Sequence, residues 1–223
     1  MRLKFYMPDD IKHDFEQAKK DPNARYAGRW CDAISVDDEA RGDCERCPLC
    51  NAPVSMLKWL EPRRMRLTNP KYPDRLTAWL SEPMVVSEKV KEAYEQEGLT
   101  GVREFVPVEV VKVSRMTKRS TKPPKYFSAE IGFAANVRLD IAKSKIVGQK
   151  HDGSCELCDP WGKTRDKIVK LALNASEWKG EDVFKVFSLS ARIIVSQRFH
   201  DFVERHCFTN FNLVPVEDYR AWM

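Results

Sequence analysis

Val86-Ser87-Glu88-Lys89, then Leu99-Thr100-Gly101, then Val106-Pro107-Val108-Glu109 is a phrase that this chain uses twice. It returns as Val195-Ser196-Gln197-Arg198, Phe208-Thr209-Asn210 and Val214-Pro215-Val216-Glu217. The offset from Pro107 to Pro215 is one position shorter than that from Ser87 to Ser196, so one residue has been lost between the copies. Each copy has the same local logic. Ser87 is placed to cap a helix running from Glu88 to about Glu97, because a short hydroxyl side chain can accept from an orphan amide of the first turn. Gly98 follows where helices end in the left-handed conformation. The β-branched run Val102 to Val113 then reads as a strand. In the second copy Ser196 caps a helix through Phe199, Phe202 and Val203, and Phe211 to Val216 forms the strand. Cys207 stands where Gly98 stood, which predicts a poorer helix end. Apolar runs, Met84-Val85-Val86 and Ile193-Ile194-Val195, precede both copies. Each unit reads as strand, helix, strand, and the chain as an α+β fold of two similar halves, an internal duplication.

Two Cys-x-x-Cys pairs keep the same spacing. Cys47-Pro48-Leu49-Cys50 and Cys155-Glu156-Leu157-Cys158 are separated by the same offset as Pro107 and Pro215. Two cysteines three positions apart aim both sulfurs at one centre around a tight turn. A single pair is a weak signal, but two at matching places in a repeat are much stronger. Cys47, Cys50, Cys155 and Cys158 are therefore the expected ligands of one structural Zn(II), joining the halves in a zinc-ribbon-like site. Such a site has no open position for water, so it holds structure rather than doing chemistry. The turn after each pair usually ends in Gly. Asn51 and Asp159 take that place here, and they tolerate positive φ better than other side chains. A redox role of the thioredoxin kind needs a pair opening a helix beside a parallel sheet, and Pro48 and Pro160 do not fit that context. Cys44 makes a second overlapping pair with Cys47, so Cys44 and His151 are reserve ligands. Cys31 and Cys207 read as buried or free thiols.

At 223 residues with an ordinary apolar fraction, the chain can build a real core. Residues 1–115 carry the first half and 116–223 the second, packed as one compact unit. The Pro123-Pro124 region, 116–125, is the expected join. No run of about 18 apolar residues predicts a membrane span, and residues 1–10 have no signal-peptide character, so a cytoplasmic location is expected. Arg2 to Met7 reads as a strand and Asp9 to Lys20 as a helix. Pro62, Pro70 and Pro73 argue against long regular structure between them. Tyr126 to Leu139 suits a strand or hairpin, and Lys163 to Leu173 is amphipathic without a clear period.

Net charge is only +5, but basic residues gather at Arg63-Arg64-Met65-Arg66 and from Lys112 to Lys125. Such stripes can meet nucleic acid, and a zinc-dependent nucleic-acid-binding protein is the alternative function. The duller reading is a solvated linker. An acidic stretch, Asp37-Asp38-Glu39 with Asp43 and Glu45, can face a basic partner. His13, His151, His200 and His206 form no hydrolase or metalloprotease motif, and no phosphate loop or nucleophile elbow is present. The six tryptophans read as core or interface anchors. An enzyme is not expected.

Tyr26-Ala27-Gly28-Arg29-Trp30 ahead of Cys47-Pro48-Leu49-Cys50, the two repeated phrases, and the pair Cys155/Cys158 occur in one order. In that order the chain resembles the double-CXXCG motif proteins, a paralogous family of social, predatory bacteria. The resemblance spans most of the chain. It implies an immunity protein that binds a cognate, contact-delivered toxin and neutralises it by steric cover. No membrane partner is expected from the apolar pattern and a nucleic-acid partner is not the first expectation, while the oligomeric state and interface residues stay open.

Overall fold

The computed structural model describes residues 3–8, 32–36, 40–79, 84–117, 121–151, 154–162, 164 and 167–222. The helix expected at Asp9 to Lys20 and the Tyr26 to Trp30 phrase lie outside them. Among the described residues the chain is mostly β, with two α-helices. The strands are β1 (Phe5–Pro8), β2 (Ala33–Ser35), β3 (Arg63–Leu67), β4 (Arg75–Leu76), β5 (Ala78–Trp79), β6 (Val85–Ser87), β7 (Val102–Val113) and β8 (Tyr126–Ile131). After these come β9 (Arg138–Leu139), β10 (Lys145–Val147), β11 (Lys167–Lys170), β12 (Leu173–Asn174), β13 (Val183–Phe184), β14 (Ile194–Ser196), β15 (Leu213–Pro215) and β16 (Ala221–Trp222). Helix α1 (Glu88–Gln96) follows β6, and α2 (Gln197–His206) follows β14. The unsettled segment before residue 173 is strand β11, in a small sheet with β10 and β16.

Both helices end in the same way. Gly98 takes φ 62°; its amide donates to the Glu95 carbonyl, and the Leu99 amide donates to the Tyr94 carbonyl. Cys207 takes φ 52°; its amide donates to the Glu204 carbonyl, and that of Phe208 to Val203. These are paired Schellman closures. The second end is therefore as complete as the first, against the sequence expectation. Both closing hydrogen bonds form even though a side chain in this conformation costs about 1–2 kcal/mol. The starts differ. Ser196 Oγ accepts from the Phe199 amide at 3.1 Å, as a capping serine should. Ser87 makes no side-chain cap and donates its hydroxyl to Asp74 Oδ1 instead.

The two units also share a sheet plan. The strand entering each helix and the strand leaving it lie on either side of a third strand, antiparallel to both. The larger sheet runs β4-β6-β8-β7-β3-β2-β5, and the smaller runs β13-β14-β1-β15. Pairing is in register between them. Arg75 faces Val86 and Leu76 faces Val85; at the matching places of the second copy, Val183 faces Val195 and Phe184 faces Ile194. Val86 and Pro107 flank Phe127, as Val195 and Pro215 flank Tyr6. The central strands come from unexpected places in the chain. β8 lies after residue 115 but sits in the first sheet, and β1 lies near residue 5 but sits in the second.

A reciprocal hydrogen-bond clasp ties the units together. Asp182, 1% exposed, accepts from the Ser196 hydroxyl of its own unit at 2.8 Å and from the Thr100 amide of the other at 2.9 Å. Asp74 accepts from the Ser87 hydroxyl at 3.1 Å and from the Thr209 amide at 2.9 Å. Gly101 lies so close to the Val183 carbonyl that a Cβ would stand 1.8 Å from its oxygen. Between the sheets, Val90 and Tyr94 of α1 share one apolar cluster with Phe199, Phe202 and Val203 of α2. Burying each of those phenylalanines contributes roughly 1.5–3 kcal/mol. Across the helix ends, Glu97 meets His206 Nε2 at 2.6 Å and also pairs with Arg205.

The basic run at Arg63 is not a solvated cluster. It is β3, whose residues Arg63, Met65 and Leu67 point inward. Pro62 precedes the strand and Pro70 follows it, so neither removes a ladder hydrogen bond. Arg63 is 3% exposed and donates to Glu130, which also meets Lys58. Burial works against the charge of Glu130, but hydrogen bonding to Arg63 and the charge of Lys58 outweigh it and hold the carboxyl below its usual range.

Asp182→Ala removes the acceptor shared by the Ser196 hydroxyl, the Thr100 amide and hydroxyl and the Arg198 guanidinium, and leaves the buried Ser196 hydroxyl unpaired. It is expected to cost about 2–4 kcal/mol in urea unfolding, and the half-buried Asp74→Ala less. Equal losses would contradict the burial difference. Hydrogen bonding from His206, then the charge of Arg205, holds the Glu97 carboxyl below its ordinary 4.5. Its share of stability is therefore fully present above about pH 4.5 and is lost as pH falls through the lower folded value. Glu97→Gln is expected to flatten this acid limb in pH-dependent unfolding.

Candidate metal centre

Residues 40–60 fold back on themselves as an irregular two-stranded ribbon. The Leu60 amide donates to Ala40, Gly42 to Lys58, Val54 to Glu45 and Cys47 to Ala52. Its tip is the turn Cys47-Pro48-Leu49-Cys50, closed by the Asn51 amide on the Cys47 carbonyl at 2.9 Å. Asn51 takes φ 61°, the left-handed geometry expected after a thiolate turn. The second pair is closed by the Asp159 amide on the Cys155 carbonyl, also at 2.9 Å. Here the sequence expectation fails. The left-handed residue is Gly162 at φ 56°, not Asp159. Asp159 precedes Pro160, and a residue before proline is pushed towards extended backbone.

The two turns face each other. All four sulfurs lie within 4.8 Å of one another, so the group can hold a metal ion. Cys47 Sγ is 3.8 Å from Cys155 Sγ, and Cys50 Sγ is 3.5 Å from Cys158 Sγ. A tetrahedron with metal–sulfur bonds of about 2.3 Å has edges of about 3.8 Å. The sulfurs thus stand at ligand spacing although each facing pair is 108 positions apart in the chain. Cys47 is buried with Val54 and Leu157, while Cys50 is exposed. Phe133 and Phe187, stacked with centroids 4.3 Å apart, close the apolar side.

Electrostatics within the group favour a bound cation. The backbone amides of Cys158 and Leu157 point at Cys155 Sγ and bring its thiol down to about 6. Burial, then the neighbouring sulfurs, push Cys158 up. At Cys50 the Ala52 amide and then the Cys158 sulfur favour the thiolate, but desolvation by the surrounding atoms and the Cys155 and Cys47 sulfurs outweigh them, so that thiol is raised as well. Several adjacent sulfurs cannot all ionise without a positive charge between them. A divalent ion held between them would supply that charge.

The reserve ligands stand apart. His151 Nε2 meets Asp159 Oδ2 at 3.0 Å, and Cys44 is not one of the four clustered sulfurs. Cys207 is the exposed end of α2, and Cys31 lies outside the described residues. The other described histidines are held by packing: His200 stacks on Tyr6, and His206 on Phe208. In the basic stretch, Lys118 and Arg119 lie outside the described residues, and Lys125 pairs with Glu88 at 2.8 Å. Of the acidic stretch, Glu45 is already engaged by Arg103 at 2.8 Å, and 37–39 lie outside the description.

The model of the Imm11 immunity protein family matches residues 13–218, nearly the whole chain and both thiolate turns. The chain belongs to the Imm11 immunity protein family. No match was found among the curated proteins. Membership in Imm11 implies a toxin partner and agrees with the immunity class that the family resemblance implied. No helix among the described residues of this Imm11 member is long and apolar enough to cross a membrane.

Native mass spectrometry of protein made with metal supplied is expected to find one divalent ion per chain. Cys47→Ser or Cys158→Ser is expected to empty the site and lower stability, since metal binding is coupled to folding. Cys44→Ser and Cys207→Ser are expected to leave the metal content unchanged; metal loss in either would assign the ligands differently.

Proposed function

We propose that this chain is an immunity protein that binds a cognate antibacterial toxin in the cytoplasm and neutralises it by covering the toxin's active site, without chemistry of its own. The observation that carries this reading is the Imm11 family match over residues 13–218. The four-sulfur group supports a structural role for the metal, because four protein sulfurs leave no open coordination position. We take the metal to be one Zn(II), held by Cys47, Cys50, Cys155 and Cys158, since a four-thiolate tetrahedral set favours it. The order of the repeated phrases supports membership of the double-CXXCG branch, whose toxins are delivered by contact between cells.

We further take the halves, 1–115 and 116–223, to descend from one duplicated unit. Matching strand orders, matching registers and the reciprocal Asp–Thr contacts support that descent. In this scheme each half lends its spare strand, β1 or β8, to the sheet of the other.

An inhibitor of a lethal toxin must leave almost none free. The expected affinity is nanomolar or tighter, roughly −12 kcal/mol or better. Co-expression with the toxin encoded beside this gene is expected to restore growth, and the two proteins to co-purify. A chain that neither rescues growth nor binds the toxin of its own locus would overturn the proposal.

A further inference from the structure

We infer that the four-sulfur group is also a site of reversible oxidation by hydroperoxides, in which Cys50 is the sulfur attacked and Cys158 the sulfur that resolves it. The bond that forms joins the 40–60 ribbon to the second thiolate turn. The two turns therefore stay clasped when no metal ion holds them.

Exposure separates the four sulfurs. Cys47 is 2% exposed and packed with Val54 and Leu157, out of reach of a solute. Cys50, three positions on, is exposed. Its sulfur stands 3.5 Å from that of Cys158, the closer of the two facing pairs. Cys158 in turn borders an open cavity of about 300 Å³, lined also by His151, Thr164 and Ser190, with room for a small oxidant to arrive and water to leave. A solvent-accessible cysteine with a resolving sulfur beside it is the arrangement of a redox-responsive thiol. A bond from Cys50 to Cys47 instead would need Cys47 to leave its apolar packing. Exposure alone is not enough. Cys207 is an exposed thiol too, but its sulfur faces the Glu204 carbonyl, and no second sulfur stands beside it among the described residues.

Each bond consumes one hydroperoxide. The Cys50 thiolate attacks one oxygen of hydrogen peroxide, the O–O bond breaks, and the hydroxide released takes a proton from solvent and leaves as water. Cys50 is then a sulfenic acid. The Cys158 thiolate attacks its sulfur, the S–O bond breaks, and a second hydroxide leaves, again as water after protonation. The two sulfurs together give up two electrons, and the peroxide gains them. A four-coordinate ion would lose half of its ligands in this step. Cys47 and Cys155, with sulfurs 3.8 Å apart, remain for a second equivalent. Exchange with a small thiol reverses the bond, because its Cys50 side is open to attack.

The test treats the full-length chain, in metal-loaded and metal-free form, with one equivalent of hydrogen peroxide and maps disulfides by mass spectrometry of non-reduced peptides. Cys50–Cys158 is the first product expected in both forms. In the loaded form a chromogenic chelator is expected to register release of the ion in step with it, and dithiothreitol to restore every thiol. Cys50→Ser is expected to slow disulfide formation about tenfold or more, and Cys207→Ser to oxidise at the parent rate. Should Cys50→Ser fail to fold, the parent's disulfide map decides the matter. The oxidised chain is expected to unfold at higher urea than the reduced, metal-free chain, since a bond across 108 positions restricts the unfolded state. A first product of Cys47–Cys50 or Cys155–Cys158, or sulfinic acid at Cys50 without a disulfide, would rule out Cys158 as the resolving sulfur. A lower urea midpoint in the oxidised chain would rule out the clasp. A chain that takes up no metal would end the metal reading, and the same map on the metal-free form would still decide this pairing.

Discussion

Asp182 is the point on which the arrangement turns. It is almost fully buried and accepts from the Ser196 hydroxyl that starts α2 and from the Thr100 amide that follows α1. Arg198 supplies the countercharge at 3.0 Å and reaches on to the carbonyl of Glu97. One carboxylate therefore fixes the start of one helix, the end of the other and the strand turn between the sheets. Asp74 does the same from the opposite side with Ser87 and Thr209. A buried carboxylate is costly unless every acceptor position is filled. That requirement makes the relative placement of the two units specific, where apolar packing between α1 and α2 alone would tolerate sliding.

The thiolate turns depend on that placement. Neither pair can assemble a four-sulfur group by itself, and the loop between them is long. Closing it costs entropy that grows slowly with length, and the strand pairings and the Asp contacts hold the two turns together independently of the sulfurs. A metal ion held by the four sulfurs would add to an arrangement that strand pairing already sets.

Much of this was legible in the sequence because it rests on local chemistry. The helix from Glu88, the strand over Val102–Val113 and the convergence of the two Cys pairs all follow from spacing and turn residues. What was hidden depends on partners far away in the chain. The basic run at Arg63 became a buried strand because Glu130, 67 residues on, neutralises it. Asp74 and Asp182 carry no motif, yet their separation in the chain equals that of Cys47 and Cys155, and that shared offset was the available signal for them. Asp159 missed its expected conformation because of the proline behind it. Cys207 met the left-handed conformation that its residue type disfavours, because Phe208 is anchored in the core as Leu99 is.

The place of β1 between β14 and β15 has a consequence for how the chain is made. Tyr6 of β1 ends beside Gln197, 191 residues later. At the usual speed of a ribosome, about 5–20 residues per second, β1 waits roughly 10–40 seconds before its neighbours exist. The sheet around β8 can close earlier, since β3, β6 and β7 are already synthesised when β8 emerges. β1 meanwhile stays a short extended segment with both edges unpaired, the kind of edge that invites wrong pairing. Its brevity and its closing proline, Pro8, limit that hazard during synthesis.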